Sequence, residues 1–171
     1  MPSLVAQVPA ADSASAVRRF ESAFSFETDC WDVHEALARG PDFVLIDVRS
    51  PEAFARAHVP GAINIPHAKM IAARMACYRP DTLFVVYCAG PHCNGAERGA
   101  LRLARLGMPV KVMIGGMTGW IDEGFGLEQQ ASAAVRAACS GNAPRAVSRP
   151  RRMPAARGRS PRRSSRSCRR S

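Results

Sequence analysis

The feature that most constrains this chain is an alternation: a short, wholly apolar run, then a segment with helical spacing, repeated. FVLI (Phe43–Ile46) and LFVVY (Leu83–Tyr87) are such runs, and VKVM begins a third that ends at Gly115-Gly116. Apolar runs of this length, bounded by polar turns, fit strands covered on both faces. Between them, Ser50-Pro51 opens PEAFARA as N-cap and first helical residue. GAERGALRLARLG repeats Ala96, Ala100, Leu103 and Leu106 at helical spacing and stops at Gly107. The order β-α-β-α-β predicts an α/β domain, with a mainly parallel central sheet flanked by helices on both faces.

Weaker signals fill in the rest. FSFET (Phe24–Thr28) reads as an edge strand, and Asp32 with Glu35 as a helix start stopped at Gly40. AINI follows the Pro60-Gly61 turn as a short strand, His67–Tyr78 has helical spacing, and MTGWIDEGF closes the domain as a helix. The segment 1–19 is small, polar and proline-containing and is expected to be a disordered leader; the folded domain is placed at 20–130.

The charge has to be located before it means anything. The chain carries a net charge of +10, but residues 145–171 hold 11 arginines and no acid, so residues 1–144 net −1. Residues 131–171 are therefore expected to be an Arg/Pro/Ser-rich disordered tail. Such a tail attracts nucleic acid by charge alone, and nothing in the body supports nucleic-acid binding. With 22 Arg against 2 Lys, the tail also has the composition that GC-rich DNA produces when read out of frame. No apolar run approaches the ~20 residues of a membrane span. No signal-peptide pattern precedes Arg18, so a cytoplasmic setting is expected, with thiols rather than a disulfide framework. The six cysteines form no CxxC pair and no zinc spacing, so neither metal nor cofactor is expected.

Chemistry points to one loop. In open parallel sheets, functional groups gather where strands end at their carboxyl termini. Cys88 stands there, directly after LFVVY, and a helix begins six residues later. The positive end of that helix and the backbone N–H groups of Ala89, Gly90, Pro91, His92, Cys93 and Asn94 (proline lacking the N–H) would favour a thiolate and hold an anion. A thiolate so placed attacks the outer sulfur of thiosulfate or of a persulfide and carries it as Cys88 persulfide.

The motifs DFVLIDVRSPEAFARAHVPGAINIP, VVYCAGPHCNGA and IGGMTGW, with Gly124, resemble in order the signatures of rhodanese-like domains over about Phe20 to Leu127. The resemblance implies a rhodanese-like α/β fold and a sulfurtransferase. Cys88 would be its nucleophile, the loop would cradle the transferred sulfur, and a thiol or protein would accept it. It also implies that Asp47 and Arg49 organise the neighbouring strand end, that His58, Pro60 and Gly61 shape a turn, and that Gly115, Gly116 and Trp120 pack the final turn and helix. Two departures stand out. Sulfurtransferases acting on thiosulfate commonly carry Arg or Lys in the active loop; this loop has none, so thiosulfate is expected to be a poor donor. The loop is also longer than the usual short form and holds a second cysteine, Cys93. Phosphatase relatives of the fold need an arginine where this chain has Asn94, which argues against phosphate-ester hydrolysis.

Plainer readings compete with these. Cys88 could be a buried core cysteine. Cys93 could be a small loop residue, a second sulfur relay, or a resolving thiol that closes a disulfide with Cys88. His92, His34 and His67 are expected at the surface, and His58 and Asp47 in structural roles. The methionines at 70, 75, 108, 113 and 117 are expected to fill core space. The main expectation is sulfur transfer through Cys88. Its rival is a catalytically weak rhodanese module that acts in protein binding or as a Cys88/Cys93 redox switch.

Overall fold

Five strands pair into one sheet in the order β1-β5-β4-β2-β3, every neighbouring pair parallel. The strands are β1 (Glu27–Thr28), β2 (Phe43–Asp47), β3 (Ile63–Asn64), β4 (Leu83–Tyr87) and β5 (Val110–Met113). Six α-helices accompany them among the described residues: α1 (Ser13–Phe26), α2 (Cys30–Arg39), α3 (Pro51–Arg56), α4 (Ala72–Met75), α5 (Gly95–Arg105) and α6 (Gly116–Asp122). The computed structural model describes residues 2–130. Among these no helix is long and apolar enough to cross a membrane.

Both faces of the sheet are covered, as its continuously apolar strands require. Leu45, Val85, Tyr87 and Met113 point into one core with Val33, Phe54, Met117 and Trp120, from α2, α3 and α6. Ile46, Phe84, Val86 and Cys88 point into the other with Met75, Ala96 and Leu103, from α4 and α5. Consecutive residues of β4 alternate between the two cores, the two-residue period of a pleated strand. Of the five methionines among the described residues, Met70, Met75, Met113 and Met117 are buried in these cores, and Met108 packs against one.

Strand order reverses direction between β2 and β4. From β2 the chain moves outward to β3, then returns to β4 and continues the other way to β5. A crevice forms at such a switch point beyond the carboxyl ends of the strands. Here those ends are Asp47 and Tyr87, which are register partners.

Four local expectations need correction. Residues 13–19, assigned to a disordered leader, lie in α1, where the Asp12 side chain accepts the Ser15 N–H at 2.9 Å and caps the helix. Phe24 and Phe26, assigned to an edge strand, end that helix. Only Glu27 and Thr28 pair, along the edge of β5. Helix α2 starts before Asp32: Asp29 is its N-cap and accepts the Asp32 N–H at 2.8 Å. The expected helix over His67–Tyr78 is broken into a 3-10 turn at His67–Lys69 and the single turn α4, because Met70 leaves the helical region and Ile71 is extended, with the Met70 side chain in the core. The expected disordered tail at 131–171 lies outside the described residues.

Candidate functional site

The end of β2 is built on a buried ion pair. Asp47 is fully buried, and its carboxylate accepts the Arg49 backbone N–H at 2.9 Å, Nε at 3.0 Å and Nη2 at 2.6 Å. Arg49 Nη2 also donates to the Ala57 carbonyl at 2.6 Å, tying the strand end to the close of α3. Asn64 on β3 donates to the carbonyls of both Asp47 and Arg49. Next to this pair, the Tyr87 hydroxyl accepts the Val59 N–H at 3.1 Å. Burial, with the Asp47 carboxylate close by, pushes the Tyr87 phenol far above its ordinary value. Asp47 and Arg49 therefore tie the end of β2 to α3 and β3.

His58 is structural too. It is buried and stacked on Phe54, with its Nδ1 donating to the Phe54 carbonyl at 2.9 Å. Its backbone bonds reciprocally with Glu128, a residue outside the motifs read in the sequence. Gly61 completes the turn with φ +75°, open to glycine. His34 and His67, expected at the surface, are half-buried. His34 lies flat against Phe125 at 4.1 Å and tilted against Trp120 at 5.7 Å, which its place on the inner side of α2 makes unavoidable.

Cys88 follows β4 and is 6% exposed, its side chain on the α5 side of the sheet. The loop after it is anchored to the start of α6. The Cys88 carbonyl accepts the Met117 N–H at 3.0 Å, and the Ala89 carbonyl accepts both the Thr118 N–H at 2.9 Å and its hydroxyl at 3.0 Å. Gly116, at φ +57°, makes this approach possible: a Cβ there would lie 2.5 Å from the Cys88 carbonyl oxygen. Thr118 and Gly116 thus position the loop; of the two, only Gly116 is among the residues that the sequence motifs single out.

Within the loop, Cys88 and Cys93 are joined by a disulfide across a Cα–Cα separation of 6.4 Å, a span ordinary for such a bridge. The loop folds back to allow it, with the Cys93 N–H donating to the Gly90 carbonyl at 3.0 Å. Gly95, at the start of α5, lies against both sulfurs: a Cβ there would be 2.7 Å from Cys88 Sγ and 3.2 Å from Cys93 Sγ. Its N–H donates to Cys93 Sγ at 3.4 Å. Not all the N–H groups from Ala89 to Asn94 therefore point to a bound anion; that of Cys93 is used inside the loop. Pro91, His92, Cys93 and Asn94 instead line an open depression of about 460 Å³ whose rim includes Glu97. His92 is exposed on it, and among the described residues no Lys or Arg lines it.

The other described cysteines differ in kind. Cys77 is exposed just after α4, while Cys30 is buried at the first turn of α2 with its thiol near the Ile114 and Gly116 carbonyls. Burial, with Asp29 and Glu123 adding to it, pushes the Cys30 thiol from 9.0 up to about 11.

Comparison with known proteins agrees with this architecture. The family described as "Rhodanese-like domain" matches residues 31–123. The BH2092 protein of Bacillus halodurans is 34% identical, with a TM-score of 0.67, covering 69% of this chain and 87% of its own. An HTH-type transcriptional regulator of Mycobacterium tuberculosis, Rv0324, is 41% identical over 90 residues; the match takes in 48% of this chain but 39% of that protein's length. A thiosulfate sulfurtransferase of Pseudomonas aeruginosa shares the fold, with a TM-score of 0.54 at 23% identity over 65% of this chain and 21% of its own.

Proposed function

The chain belongs to the rhodanese-like domain family, and on that premise we propose that it is a rhodanese module in which Cys88 and Cys93 form a reversible dithiol–disulfide couple, a redox switch at the mouth of the fold. One observation carries this reading: the two sulfurs are bonded across the active loop while the loop keeps its backbone anchors to α6. Two others support it. Among the described residues no Lys or Arg lines the depression beside Cys93, and Glu97 does, so its described charge does not favour a small dianion such as thiosulfate. A relative of 41% identity over the shared segment is named as a transcriptional regulator, a role in which a module of this kind would report a chemical state to a partner.

Sulfur transfer through a Cys88 persulfide is the second reading. Its support is the place of Cys88, after β4 at the strand-order switch and ahead of the eleven-residue helix α5. Its donor would be a persulfide in preference to thiosulfate, and its acceptor a thiol or a protein.

The switch is tested by oxidising the reduced chain with diamide and mapping its peptides. Arg79 precedes Pro80 and resists trypsin, so one peptide, 75–98, holds Cys77 together with the pair. A Cys77→Ser background removes that ambiguity. The expected result is a loss of two hydrogens confined to this peptide, restored by dithiothreitol and absent in Cys88→Ser and Cys93→Ser. A peptide that keeps both thiols under diamide would overturn the switch.

A further inference from the structure

We infer that the Cys88/Cys93 pair reduces sulfane sulfur: it takes one sulfur atom from a low-molecular-weight persulfide and releases it as hydrosulfide. The step rests on the dithiol reading above, and adds a substrate class and a product to it.

Three observations at the loop carry the inference. First, Cys93 Sγ reaches Cys88 Sγ itself, the atom that becomes the inner sulfur of a persulfide. Attack there expels the outer sulfur. A relay would need attack on the outer sulfur instead. Second, Gly95 leaves the space both sulfurs occupy, and its N–H donates to Cys93 Sγ, which favours Cys93 as thiolate. Third, among the described residues no Lys or Arg lines the depression, and Glu97 does, so no cationic side chain described there holds a persulfide anion against displacement.

The chemistry balances in two displacements. The Cys88 thiolate attacks the outer sulfur of a persulfide RSSH; the S–S bond of the donor breaks, RSH leaves, and Cys88 carries S–SH. The Cys93 thiolate then attacks Cys88 Sγ; the Cys88 S–S bond breaks, hydrosulfide leaves, and the disulfide forms. One donor and two protein thiols give RSH, H₂S and the disulfide, the thiols losing two electrons and the sulfane sulfur gaining them. Hydrosulfide is a better leaving group than an alkyl thiolate, which directs the displacement outward. An external thiol reductant reopens the pair.

The experiment is a single anaerobic turnover. Reduced, desalted full-length chain is mixed with one equivalent of glutathione persulfide, and released hydrosulfide and intact mass are followed together. Wild type is expected to release one equivalent of hydrosulfide and lose two hydrogens. Cys93→Ser is expected to keep one added sulfur, removable by cyanide, without hydrosulfide above the Cys88→Ser background. Wild type that stays loaded with sulfur and releases none, while diamide still closes the pair, would overturn the inference and leave the switch standing. Failure of Cys88 to load at all would also overturn it. Failure of diamide to close the pair would instead remove the reading beneath it.

Discussion

Asp47 and Arg49 show how a strand end becomes a frame for chemistry. Their ion pair is buried and multiply hydrogen-bonded, and the guanidinium also holds the Ala57 carbonyl. Removing one partner strands the other's charge away from water, which costs about 3–5 kcal/mol. Asp47→Ala and Arg49→Ala should each lower stability by that order in urea titrations. The double variant should lose clearly less than the sum, because the pair is one coupled unit. Additive losses would mean that the two side chains act independently. The role of Asp47 was legible in the Asp-x-Arg spacing after an apolar strand. That of Thr118 was not, since an isolated threonine gives no sign that a loop 29 residues earlier in the chain rests on it.

Among the elements, α2 carries a pH signature at its first turn. Cys30 is buried there, and its thiol is held neutral, with the folded value about 11 against 9.0 for an ordinary thiol. The neutral form is the one the fold favours. Its stabilising contribution is therefore complete below pH 9.0 and is lost as pH rises through about 11. Cys30→Ala should start from lower stability at pH 7, since a buried side chain is truncated, but fall less steeply than wild type between those two values. Parallel slopes in denaturant titrations across that range would contradict the assignment. Strands β2, β4 and β5 were readable because their residues are apolar on consecutive positions. Strand β1 was not: two residues carry no period, and only pairing with β5 makes them a strand. Helix α1 was missed for a related reason. It has no buried residue, and Phe20 and Phe24 remain 66% and 74% exposed, so the apolar spacing that marks a packed helix is weak in it.

For the molecule as a whole, the disulfide closes a loop of only five residues of separation. Chain entropy assigns so short a closure about 2 kcal/mol, a small part of what holds a two-faced α/β core together. Reduction with dithiothreitol should lower the urea midpoint modestly and leave the circular dichroism of the fold unchanged. Unfolding on reduction would show that the bridge is a structural staple, which the switch reading does not allow. A domain that survives with the loop open would let one site alternate between two states.

Local signals along the chain are enough for the class of fold, the strands that form its centre, the cysteine at the end of β4 and the Asp47/Arg49 ion pair beside it. These follow from local signals: runs of apolar residues, caps, and short motifs in which each member lies within a few residues of the next. Tertiary structure decided the rest. Whether Cys93 was a spacer, a relay or a partner for Cys88 depended on how the loop folds back. That is set by the Cys93 N–H on the Gly90 carbonyl, by α6 holding Cys88 and Ala89 from a distant part of the chain, and by the missing Cβ at Gly95. Spacing along a chain limits which atoms can meet, but packing between elements far apart in sequence selects which of them do.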